Sequence, residues 1–145
     1  MTIPFSSVSP TAIVVATLVA IAIGFTWYSP LLFGETWMKL MGIKKPEKVD
    51  GRMKALMGLG MLSSLFNVFM LNVLYIMLDP STLQEILMDA GVLWLTFVVP
   101  FELGNIAWGG SPFKLVAING AYWLVMLLAT AAVLWFMNGF VVVPA

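Results

Sequence analysis

"TAIVVATLVAIAIGFTWYSPLLFGETW", residues 11–37, decides what this chain can be. Its first half is an unbroken apolar run, and its second half stops that run with aromatic rings, Pro30 and Gly34. A helix of roughly twenty apolar residues crosses the hydrocarbon of a bilayer. The stretch reads as such a crossing followed by its exit. Pro30 disfavours helical geometry at Ser29 and ends the span. Trp27, Tyr28 and Trp37 carry amphipathic rings that favour the headgroup layer. After Gly34 the segment "ETWMKLMG" is predicted to lie along the surface as a short interfacial helix. Phe33, Trp37 and Leu40 or Met41 would face lipid, with the i,i+4 pair Glu35 and Lys39 facing water.

The rest of the 145 residues agrees. Hydrophobic residues make up 61% and charged residues 10%, where a soluble domain carries about a quarter charged. Mean hydropathy is +1.02. Four segments are long enough to span, near 11–28, 54–78, 83–108 and 113–138, with a loop at 29–53. Across lipid, backbone groups must be satisfied within helices or closed barrels. The fold class is therefore an all-α membrane protein, four transmembrane helices in one bundle. The first span only loosely imitates a signal peptide, because the leader "MTIPFSSVSP" lacks a basic residue. It is expected to remain as the first helix.

The seven bases sort by loop. Lys39, Lys44, Lys45, Lys48, Arg52 and Lys54 lie around the first loop and Lys114 at the third, which share one side if there are four spans. The positive-inside rule makes that side cytoplasmic and puts both termini outside. With a formal net charge of zero there is no field to draw nucleic acid. Cysteine and histidine are both absent, which removes disulfides, thiolate and imidazole metal sites, and the usual general base. Eleven methionines could hold Cu(I) as thioethers, but without Cys or His they read as lipid-compatible filler. No cofactor and no metal are expected.

Two stretches, "GFTWYSPLLFGETWMKLMG" at 24–42 and "PFELGNIAWGGSPFKLVAINGAYWLVMLL" at 100–128, resemble the small prokaryotic membrane proteins grouped as domain of unknown function DUF1761. Gly24, Phe25, Trp27, Tyr28, Pro30, Leu31, Phe33, Gly34 and Trp37 match the family's first pattern, and Asn119, Gly120 and Tyr122 its last helix. The resemblance implies a bacterial or archaeal inner-membrane protein of about four helices. It implies no activity and no catalytic residue.

Within the spans, Ala12, Ala16, Ala20 and Gly24 repeat every four residues and form a ridge of small side chains. Packing inside the bundle is the first explanation, and a seam between copies the second. Glu102 is the anomaly. A carboxylate costs about 2.5–3.5 kcal/mol at the centre of a span, although this one lies roughly 9 Å from the cytoplasmic end. Pro100 is predicted to kink the helix and free the carbonyl near Thr96. Glu102, Asn105, Asn119, Tyr122 and Ser63 reach similar depth and would form a polar pocket roofed by Trp27 and Tyr28. Arg52, Lys54 or Lys114 would supply countercharge. Either these groups are interhelical glue or they hold a ligand or ion. In "WGGSP", residues 108–112, Gly109 and Gly110 are expected to permit positive φ in a tight turn. The resulting expectation is a non-enzymatic structural or accessory protein, with membrane lipids and a second copy as partners. The alternative is a transporter or channel subunit that uses Glu102 for a proton or cation.

Overall fold

The computed structural model describes residues 8–43 and 51–138 and is helical throughout its regular elements. The loop bases Lys44, Lys45 and Lys48 lie outside the described residues. Helix α1 spans Pro10–Trp27, α2 Gly34–Leu40 and α3 Gly51–Leu78. A continuous rod follows, made of α4 (Leu83–Leu93), a π-helical stretch (Trp94–Val98) and α5 (Val99–Ala107). Helix α6 spans Phe113–Asn138. Four of these units, Pro10–Trp27, Gly51–Leu78, Leu83–Ala107 and Phe113–Asn138, are long and apolar enough to cross a membrane. The short α2 sits between the first two, at the position predicted for the interfacial helix.

Local chemistry explains the ends. Ser9 accepts from the Ala12 amide at 3.3 Å and Pro10 occupies the first turn of α1, where its missing N–H costs nothing. Thr82 caps α4 by accepting from the Glu85 amide at 3.1 Å, while the Glu85 carboxylate accepts from the Ser81 amide at 2.6 Å. After α1 the chain folds back on itself. The Phe33 amide donates to the Trp27 carbonyl at 3.0 Å and the Gly34 amide to the Ser29 carbonyl at 2.9 Å. The Ser29 hydroxyl donates to the Thr26 carbonyl at 2.7 Å and accepts from the Leu31 amide at 3.2 Å. At the other turn only Gly110 adopts a positive φ, +65°. Gly109 is required for a different reason: a β-carbon there would stand 2.7 Å from the Asn105 carbonyl oxygen.

Helix α6 is the centre of the bundle. It meets α1 most extensively, then α4, α5 and the π stretch. Ala12, Ala16 and Ala20 are at most 1% exposed, and the ridge meets α6 and α3 within the chain. The core adds Val68, Leu71 and Tyr75 from α3, Ile86 and Ala90 from α4, and Met126, Leu127, Ala131 and Leu134 from α6.

Helix α3 packs unevenly. Its buried residues lie between Val68 and Tyr75, whereas from Gly51 to Phe66 only Met53 and Ser64 are even partly covered. The first half of α3 thus stands off from the bundle and lines one cavity between Met53 and Ser64, while a second cavity lies beside the following stretch from Asn67 to Leu74. The first, about 650 Å³, lies between α1, α2, α3 and α6, and the second, about 500 Å³, between α3, the rod and α6.

Pro100 does not simply kink its helix. The carbonyl ladder slips one residue ahead of it, so that the Val99 amide reaches the Trp94 carbonyl five positions back. One inserted residue turns the following helix by about 100°, which aims α5 at α6.

The glycines at the α1 exit make a graded test. At Gly34 a β-carbon would overlap the Tyr28 carbonyl oxygen and stand 2.7 Å from Ser29 backbone atoms. At Gly24 it would meet the Tyr122 hydroxyl at an ordinary 3.5 Å. Gly34→Ala should destabilise the protein by about 1–3 kcal/mol, and Gly24→Ala by less than about 0.5 kcal/mol. Thermal unfolding in detergent, followed by circular dichroism, compares the two.

Candidate functional site

The end of α1, the following turn, α5 and the first half of α6 bring most of the predicted polar residues together. Asn105 lies one turn beyond Glu102 on α5, and its amide donates to the Glu102 carboxylate at 3.3 Å. Glu102 is only 6% exposed, although it lies inside an apolar rod. From α6, the Asn119 carbonyl oxygen accepts from the Tyr28 hydroxyl at 3.2 Å. That hydroxyl also lies within the electrostatic reach of the Glu102 carboxylate and of Tyr122. Tyr122 stacks against Tyr28, with ring centroids 5.2 Å apart, and against Trp27 at 6.4 Å.

Two indoles hold α6 from opposite sides. The Trp27 ring N–H donates to the Ile118 carbonyl at 3.1 Å and the Trp94 ring N–H to the Gly120 carbonyl at 2.7 Å. Carbonyls two residues apart on a helix point about 200° away from each other. One indole comes from the end of α1 and the other from the π stretch, so α6 is clamped between them.

Trp27 and Tyr28, at the end of α1, are thus both tied to α6 by their polar tips. Phe33 stacks on Trp27 at 4.8 Å, and Trp37 meets Tyr28 edge-on at 5.3 Å. Trp37 is half-buried by that contact and does not face lipid freely. Pro30 is exposed on the turn, and Gly34 is buried beneath it.

Ser63 does not join this cluster. It is exposed on the half of α3 that stands off from the bundle. Its neighbour Ser64 lines the larger cavity, and its hydroxyl donates back to the Gly60 carbonyl at 3.0 Å. One residue is 100° of helix, and that rotation separates the two serines. Arg52, Lys54 and Lys114, expected as countercharges, are all exposed.

A second polar cluster escaped the sequence analysis. At the opposite end of the bundle the Asn138 amide donates to the Asn72 carbonyl oxygen at 2.6 Å, and Asn72 and Tyr75 are fully buried. The Asn72 amide nitrogen, the Tyr75 hydroxyl and the Asn138 carbonyl oxygen have no hydrogen-bond partner among the described residues. A depth count along α3 and α6, which run parallel, places both asparagines near the far end and would have paired them.

These features define a four-helix membrane protein whose first span ends in a ring cluster locked onto the last. Residues 11–135 match the family described as protein of unknown function DUF1761, and the chain belongs to it. No curated protein and no solved structure matches it.

Tyr28→Phe removes the bond to Asn119 but keeps the ring stack. It should cost about 0.6 kcal/mol, the mean for a hydrogen bond between membrane helices. Tyr28→Ala also loses the stack and should cost at least about 2 kcal/mol. Unfolding in mixed micelles with increasing dodecyl sulfate measures both.

Proposed function

We propose that this chain is a non-enzymatic structural or accessory protein of the prokaryotic cytoplasmic membrane. Its base-rich end faces the cell interior and both termini face outward. The Glu102 seam serves to lock α5, α6 and the α1 exit into one rigid end. The observation that carries this is the closure of the seam: Asn105 serves Glu102, Tyr28 serves Asn119, and Trp27 serves the Ile118 carbonyl. Neither of the two cavities has Glu102 or Asn105 in its lining. A transport path through Glu102 draws its support from the buried carboxyl alone.

Glu102→Gln distinguishes the two functions, because Gln keeps an acceptor for Asn105 but cannot ionise. In liposomes the parent protein should conduct protons and monovalent cations no faster than empty vesicles, and the variant should behave identically. Its stability should stay within about 0.5 kcal/mol of the parent, while Glu102→Ala, which strands the Asn105 amide, should lose about 1–3 kcal/mol. Proton flux that disappears in Glu102→Gln would establish the transport function instead.

A further inference from the structure

The larger cavity is bounded by α1, α2, α3 and α6 and measures about 650 Å³, inside the roughly 300–1,000 Å³ range of sites that hold small organic molecules. Its wall on α3 runs from Met53 to Ser64, roughly 16 Å at 1.5 Å per residue, close to the ~15 Å of hydrocarbon in one leaflet. Phe25, Leu56 and Met57 stand on its rim and are 50%, 59% and 41% exposed, so it opens sideways toward lipid. Its lining is mostly apolar: the Tyr28 hydroxyl is committed to Asn119 and the Ser64 hydroxyl to Gly60, which leaves the Tyr122 hydroxyl and the Trp37 ring N–H among eleven other lining residues that carry no charge. Water gains too few partners in such a space, and a void forfeits the dispersion contacts of its walls. A flexible apolar chain suits it better.

Charge at the mouth narrows the choice. Arg52 and Lys54 are exposed and flank the lining residue Met53 on α3, and Lys39 is exposed beside the lining residue Met38 on α2. Helix α2 also carries one exposed carboxylate, Glu35, one turn before Lys39. Among the described residues at this mouth, three cations therefore stand against one anion. A phosphate-bearing anionic headgroup is attracted there, each base near the surface adding to the preference. We infer that this cavity seats an acyl chain of one anionic phospholipid, whose phosphate lies at Arg52, Lys54 and Lys39. The site needs only the membrane placement of the helices and is independent of what Glu102 does.

The test is native mass spectrometry of the full chain, stripped of lipid in mild detergent and titrated with phosphatidylglycerol or phosphatidylcholine of identical chains. The parent should retain phosphatidylglycerol roughly a hundredfold better, at about fivefold for each of the three bases. Arg52→Gln with Lys54→Gln should cut that preference to roughly fivefold and leave phosphatidylcholine binding unchanged. Gly60 lines the cavity, and a β-carbon there meets nothing within 4 Å. Gly60→Leu should fold normally, as its helicity and elution will show. It should weaken both lipids about tenfold, as expected for two methylene groups kept from burial. Ser63→Leu, on the exposed face, should change neither. Equal retention of the two lipids by the parent would overturn the inference, as would indifference to Gly60→Leu. Displacement of the lipid by excess inorganic phosphate would mark a free-anion site instead. A lipid-free dimer broken by Gly60→Leu would assign the cavity to a second copy.

Discussion

Ala12, Ala16 and Ala20 present nothing larger than a methyl group to α6, so the two helices approach closely along most of α1. In hydrocarbon no hydrophobic force presses helices together, and close packing with a few hydrogen bonds must suffice. The ridge supplies that packing. It also sets the depth and direction in which α1 ends, which puts Trp27 beside the Ile118 carbonyl and Tyr28 beside Asn119. A bulky residue on the ridge would push α1 outward and strand both rings. The aromatic cluster thus depends on small residues about two to four turns earlier.

The rod opposite α1 reaches α6 by a different device. Pro100 cannot donate, and the ladder before it widens to a π stretch that places Trp94 against the Gly120 carbonyl. The same shift brings Glu102 into a buried position beside Asn105. Glu102 is therefore buried as a result of backbone geometry, and its carboxylate accepts an amide from its own helix.

Helix α3 is the loosest element. Its second half is anchored through Val68, Leu71, Asn72 and Tyr75, while its first half is covered by little of the protein. The larger cavity follows from that splay, since the first half of α3 diverges from α1 and α6, while the smaller one lies beside the anchored half, between Asn67 and Leu74 and the rod. Polar residues accordingly gather at the two ends of the molecule. One set joins α1, α5 and α6 around Glu102, and the other joins α3 and α6 through Asn72 and Asn138. Between them the contacts are mainly apolar, with Thr17, Thr130 and the side-chain oxygen of Asn67 as the polar groups buried there among the described residues.

Much of this was legible residue by residue. Hydropathy and length placed four spans, because a helix in lipid must be apolar over a whole bilayer thickness and has no other way to satisfy its backbone. Pro30 and Gly34 marked the exit of α1, and the spacing of Ala12, Ala16, Ala20 and Gly24 marked its packing side, since each acts through local sterics. Depth was legible too, which is why Glu102, Asn105, Asn119 and Tyr122 were grouped. Azimuth was not. Helices that are apolar all round carry no stripe to show which way they face. Whether Ser63 or Ser64 lines a cavity turns on 100° of rotation, set only when α3 meets α1. The inward lock of Trp27 and Tyr28 was equally hidden, because an indole or phenol satisfies its polar tip as well at a headgroup as at a helix carbonyl. Only the neighbouring helix, brought within 3 Å or so by packing, decides between them.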